Sequence, residues 1–199
     1  EIRQFGLKNP IALIPLPIKK RGGYDHAQTL GRLGNGIAKS KKRMLFIGRM
    51  HQVKGLERLI VSWSKCIKYH HEWELMIAGP GEESYKILLN RLVNEHNCTS
   101  SIRFSPELNE DQKWIMYDSA DVFVMPSDFE NYCLSIAEAL TVGLPVITTT
   151  GTPWQDLTSF AAGWWIDPTV GALQEALEEV LSMSFDDLQD MGGNAKRLA

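Results

Sequence analysis

Seven residues separate two glutamates, Glu130 and Glu138, in the run Met125-Pro126-Ser127-Asp128-Phe129-Glu130-Asn131-Tyr132-Cys133-Leu134-Ser135-Ile136-Ala137-Glu138. The apolar stretch Val122, Phe123 and Val124 reads as a strand that stops at Pro126. A short polar loop then carries Glu130, and a helix-like segment carries Glu138. Carboxylate oxygens accept hydrogen bonds from hydroxyls, so such a pair suits a neutral polyol. In an open parallel sheet, ligands bind at the carboxyl ends of strands. The first turn of the following helix presents unpaired N–H groups, a natural place for an anion. The chemistry indicated is a sugar site beside a phosphate site. The spacing alone has a plainer reading, an ordinary αβ crossover with a solvated helix.

A second constellation lies earlier, in Phe46-Ile47-Gly48-Arg49-Met50-His51-Gln52-Val53-Lys54-Gly55. Gly48 is expected to turn the backbone tightly, and Gly55 to allow close packing at a helix start. Arg49 offers a planar fork to phosphate oxygens, and Lys54 adds a mobile point charge. The alternative is two solvated cations flanking a helix. The loop lacks the Gly-x-Gly-x-x-Gly pattern of a dinucleotide site. His51, His70 and His71 have no partners at metal-ligand spacing and are read as solvated.

Elements that could position these residues alternate along the chain. Met44–Gly48, Glu74–Gly79, Ile102–Phe104, Val122–Met125, Pro145–Thr149 and Gly163–Ile166 are short apolar runs ending in turn residues, as buried parallel strands are. Leu56, Leu59, Ile60, Trp63 and Ile67 recur at helical spacing, and so do Tyr85, Leu88, Leu89 and Leu92. Asn109 with Gln112 predicts a capping box opening a helix through Tyr117. Val170, Leu173, Leu177 and Val180 mark another helix, and Ser184 a cap for the last. Trp164 and Trp165 are expected to fill core on the final strand. The alternation predicts an α/β, doubly wound, Rossmann-like parallel sheet.

Composition narrows the partners. The 199 residues suit one α/β domain, and a net charge of -3 gives no electrostatic reason to expect nucleic acid. Cys66, Cys98 and Cys133 lie far apart without metal spacing, which favours a reduced, cytoplasmic protein. No apolar stretch reaches the roughly 20 residues of a membrane span, and the amino end carries no signal-peptide pattern.

The Glu-x7-Glu segment, followed by Ala139-Leu140, Gly143-Leu144-Pro145-Val146 and preceded by Pro126-Ser127, resembles the signature of retaining GT-B glycosyltransferases of family 4. Gly48-Arg49-x4-Lys54-Gly55 is similar to the donor-pyrophosphate clamp of the same family. The resemblance covers about residues 42–198 and implies one half of a GT-B fold, the nucleotide-sugar-binding domain at 41–199. It implies a UDP-, GDP- or ADP-sugar donor, retention of anomeric configuration, and no further cofactor or metal. Arg49, Lys54 and Glu130 would be catalytic. Gly48, Pro106, Leu108, Asn131, Tyr132, Cys133, Leu134 and Glu138 would join them in binding substrate. Glu130 would hold the transferred sugar and Glu138 the ribose, while the loop Ser105-Pro106-Glu107-Leu108 would hold the base through backbone groups. Some glycosyltransferases use a metal held by Asp-x-Asp, which is not found here. Arg49, Lys54 and the helix start near Asn131–Cys133 could supply that positive charge instead.

Three departures qualify the match. Cys133 stands where the family often has glycine, which bears on the space for the sugar. Thr149-Thr150-Gly151-Thr152-Pro153-Trp154 replaces the commoner Gly-Gly-x-x-Glu form. Ile14-Pro15-Leu16-Pro17 stands in place of Ile-Pro-Asn-Gly, so residues 1–40 read as the tail of an absent amino-terminal acceptor domain plus a linker. The basic runs Lys19-Lys20-Arg21 and Lys41-Lys42-Arg43 suit a solvated linker; contact with anionic lipid or carrier phosphate, and hence peripheral membrane association, is the weaker alternative. Two rival functions stand beside this one, a nucleotide-sugar epimerase and a non-catalytic binding module.

Overall fold

The computed structural model describes residues 41–199, and the proposed domain tail and linker at 1–40 lie outside them. Six parallel strands form one sheet in the order β3-β2-β1-β4-β5-β6, with β1 Lys42–Ile47, β2 Trp73–Ala78, β3 Ile102–Ser105, β4 Val122–Met125, β5 Val146–Thr149 and β6 Gly163–Ile166. This is the doubly wound order, in which the strand order, and not the strand direction, reverses between β1 and β4. Every residue of β4 and β5 is buried, as expected for strands covered on both faces.

The helices are α1 Leu56–Lys65, α2 Glu83–Glu95, α3 Glu110–Asp118, α4 Leu134–Val142, α5 Asp156–Ser159, α6 Val170–Ser182 and α7 Phe185–Leu198. Asn109 accepts from Gln112 N–H while Gln112 reaches back to the Asn109 N–H, completing the expected capping box. Thr169 and Ser184 cap α6 and α7. Such caps contribute about 1 kcal/mol each by satisfying orphan amides. The helix α1 buries Leu56, Leu59, Ile60 and Trp63, and its Ser62 hydroxyl donates to Val170 O at the start of α6.

Three expectations are corrected. Ile67 lies past the end of α1, in a 3-10 turn, and is exposed. Trp164 and Trp165 are only half-buried, because β6 is an edge strand; their indoles donate to Glu179 and to Thr152 O. His70 is buried rather than solvated. Its ring stacks on Trp63 at 5.3 Å, its Nε2 lies 3.0 Å from Trp63 O, and Lys41 Nζ donates to its carbonyl.

That environment has a pH signature. Burial pushes the His70 pKa below its ordinary 6.5, and the Lys41 charge adds to this, while the bond to Trp63 O opposes it. The unfolded chain therefore binds a proton more readily than the folded one. The resulting stability is full above pH 6.5 and is lost as pH falls through the lowered folded value. Melting temperature should fall between pH 7 and pH 5, and His70→Gln should flatten part of that slope. A variant with the parent's slope would remove His70 as the cause.

Candidate functional site at the strand-order reversal

Backbone contacts bring three loops together above the carboxyl ends of β1, β4 and β5. The loop after β1 ends in a short 3-10 turn, Gln52–Lys54, and Gly55 then starts α1 with a left-handed φ of 65°. A Cβ on Gly55 would sit 2.2 Å from Pro126 O, so only glycine lets α1 approach the β4 loop this closely. Gly55 thus performs the expected packing role. Gly48 is not left-handed, and the close approach at its position comes from Gly79, whose added Cβ would meet Gly48 O. From the other side, Glu130 N–H donates to Gly151 O at 2.8 Å. Asp128 N–H donates to Val53 O, also at 2.8 Å, and Arg58 donates to Pro126 O.

This grip places Lys54 against Glu130, an ion pair whose side chains each remain 15% exposed. The buried Ser127 hydroxyl donates to the same oxygen, Glu130 Oε1, at 2.8 Å. Glu130 Oε2 has no hydrogen-bond partner among the described residues. Arg49 is exposed on the β1 loop and makes no ion pair among the described residues. Arg49 and Lys54 therefore share one loop, though only Lys54 touches Glu130.

The β4 loop leads into α4 through exposed Asn131, half-buried Tyr132 and Cys133. Cys133 is the N-cap, with φ 67° and no side-chain capping bond. The amides of the first turn of α4 consequently lack a side-chain cap at that residue. Burial pushes the Cys133 thiol up, and Glu130 pushes it the same way, against the Ser135 bond and the Lys54 charge. Leu134 opens the helix and is exposed.

Glu138 lies one turn further along α4. Lys113 Nζ donates to its Oε1 at 2.7 Å and the Tyr117 hydroxyl to its Oε2 at 3.0 Å. Burial works to lower the Lys113 ammonium, but its bonds to Glu138 and Glu110 outweigh it and raise the pKa. Tyr117 is pushed well above its usual range by burial and then by Glu138. Pro106 and Leu108 stand after β3, two strands from β1 on the same sheet edge, with Pro106 exposed and Leu108 half-buried.

Sequence reasoning missed Ser127, Lys113 and Tyr117 as partners of the two glutamates. A signal for the last two exists: they are four residues apart on a capped helix, hence on one face. Two of the cavities among the described residues lie outside this cluster. One of about 370 Å³ opens between His51, Gln52, Glu82 and Ser84; the other, about 490 Å³, lies against β6 and Met191. Converging side chains at the strand-order reversal, rather than cavity size, locate the site. Among the described residues no three His, Cys, Asp or Glu side chains gather as metal ligands would. No helix among them is long and apolar enough to cross a membrane.

The family described as "Glycosyl transferases group 1" matches residues 31–198. The chain belongs to this family. An uncharacterized glycosyltransferase of Haemophilus influenzae is 31% identical over 114 residues, covering 57% of this chain and 31% of that protein. The amylovoran biosynthesis glycosyltransferase AmsD of Erwinia amylovora is 30% identical over 124 residues, covering 62% of this chain and 34% of AmsD. The chain thus spans about a third of the length of these relatives. The solved C-terminal domain of a group 1 glycosyltransferase, LpcC, from Francisella tularensis superposes with a TM-score of 0.74 at 17% identity. That likeness covers 91% of this chain and 93% of that domain. The fold is the Rossmann-like α/β architecture of GT-B glycosyltransferases.

The left-handed Cys133 yields a stability test within this group 1 fold. Cys133→Gly removes a conformational cost of about 1 kcal/mol and should leave the melting temperature equal to or above the parent's. Cys133→Val places a β-branched residue where φ is positive and should lower it by several degrees. Thermal unfolding of both variants measures this; equal melting for Val and parent would contradict the turn at Cys133.

Proposed function

We propose that this chain is the carboxyl-terminal, donor-binding domain of a family 4 retaining glycosyltransferase that transfers a hexosyl group from a UDP-, GDP- or ADP-sugar. The observation that carries the reading is the meeting of Lys54, Ser127 and Glu130 where strand order reverses, immediately before the N-terminus of α4. Its match to nearly the whole of a separately solved C-terminal domain supports the assignment to that half. The acceptor would be bound by an amino-terminal domain, so this chain binds donor and does not turn it over alone.

Breaking the anomeric bond leaves negative charge on the departing diphosphate. Lys54, the exposed Arg49 and the first-turn amides of α4 supply positive charge there. Glu130, held by Lys54 and Ser127, offers its remaining oxygen to sugar hydroxyls. Glu138, steadied by Lys113 and Tyr117, takes the ribose. The base lies along Pro106–Leu108 after β3.

Calorimetry against UDP, GDP and ADP sugars tests binding and names the base together. Arg49→Ala should weaken diphosphate binding by about 1.5–3 kcal/mol, the scale of a charge-assisted hydrogen bond, with melting temperature nearly unchanged. Glu130→Gln should spare the bare nucleoside diphosphate and reduce affinity for the sugar-bearing donor. Glu138→Gln should weaken both, with a modest loss of stability as the Lys113 pair is lost. If both glutamine variants bind like the parent, these carboxylates do not contact the donor.

A further inference from the structure

The loop between β5 and α5 holds the Glu130 loop at several points. The Thr149 hydroxyl donates to Ser127 O, and Gly151 O receives the Glu130 N–H. An added Cβ on Gly151 would meet Asp128 O at 2.2 Å, so the two backbones are in direct contact. The last grip is Trp154. Its indole N–H donates to Tyr132 O at 2.5 Å, and its ring lies 5.3 Å from the Tyr132 ring at 50°.

The loop that carries Trp154 is itself pinned. Trp165 donates its own indole N–H to Thr152 O at 2.9 Å, and the Thr152 hydroxyl meets both Thr148 Oγ1 and Thr149 O. The ring is planar and rigid, with a single donor whose direction follows the ring. The carbonyl it holds belongs to the peptide entering Cys133, the left-handed residue that turns the chain into α4. A small rotation of that peptide would swing the first amides of the helix.

We propose that Trp154 is a positioning residue for the donor diphosphate: by fixing the Tyr132–Cys133 peptide it aims the first-turn amides of α4 at the leaving phosphate. This rests on the donor-site reading above. Trp154 touches no reacting atom and acts through Tyr132.

The test is calorimetry of this chain with whichever of UDP, GDP or ADP the parent binds most tightly, alongside the matching monophosphate. Trp154→Phe keeps a ring against Tyr132 and removes the N–H. It should lose about fivefold in affinity for the diphosphate, the scale of one hydrogen bond, while monophosphate affinity stays within about twofold. A merely structural tryptophan would lower both equally, or lower melting temperature alone; either result, or no change, overturns the proposal. Should the Phe variant fail to fold, replacing the residue-154 indole by its benzothiophene analogue keeps the shape without the N–H, and the same comparison decides. A parent that binds no nucleotide, or binds the two phosphates equally, refutes the donor-site reading itself before any variant is consulted.

Discussion

One short stretch of backbone, Pro126–Glu130, is clamped from both sides, and the site depends on that clamp. Gly55 and Arg58 press on Pro126 O from the β1 side. Thr149 and Gly151 hold Ser127, Asp128 and Glu130 from the β5 side. Loops are the least restrained parts of a fold, and a carboxylate on a loop has little preorganisation unless neighbouring backbone supplies it. Here two glycines supply it by being small enough to let main chains touch.

The two glutamates are held by different means. Glu130 is fixed through its backbone and one oxygen, with the other oxygen open. Glu138 stands on a helix, and both oxygens already receive donors from α3. A ligand hydroxyl at Glu138 must use a second lone pair, since each carboxylate oxygen can accept more than once. Removing Glu130 would leave the partly buried Lys54 ammonium without its ion-pair partner, whereas removing Glu138 would leave Lys113 with Glu110 alone.

The strands were legible in the sequence because buried parallel strands are short apolar runs with turn residues at their ends; each starts within a residue or two of its expected position. The caps at Asn109 and Ser184 were legible because their chemistry is local. Solvent exposure was not. Trp164 and Trp165 look like core in composition, yet their strand lies at the sheet edge, a fact of strand order rather than of residue type. His70 looks like a surface residue and is buried because Trp63, seven positions away, offers a ring to stack on. The pairing of Lys54 with Glu130 joins positions far apart in the chain, so spacing could place both at one edge without showing that they touch. The short helix α5 left no periodic signal at four residues.

Strand order also governs when such a site can exist during synthesis. The reversal point requires β1 to lie beside β4, pairing Met44 with Val122 across roughly 80 residues of chain, a distant contact with a high closure cost. A polypeptide that ends after β3 has no β4 to lie beside β1 and hence no crevice. Only when β4 inserts next to β1, and β5 delivers its loop, do Lys54 and Glu130 meet. A chain that ends before the β5 loop therefore lacks the Lys54–Glu130 pair or the backbone that holds it.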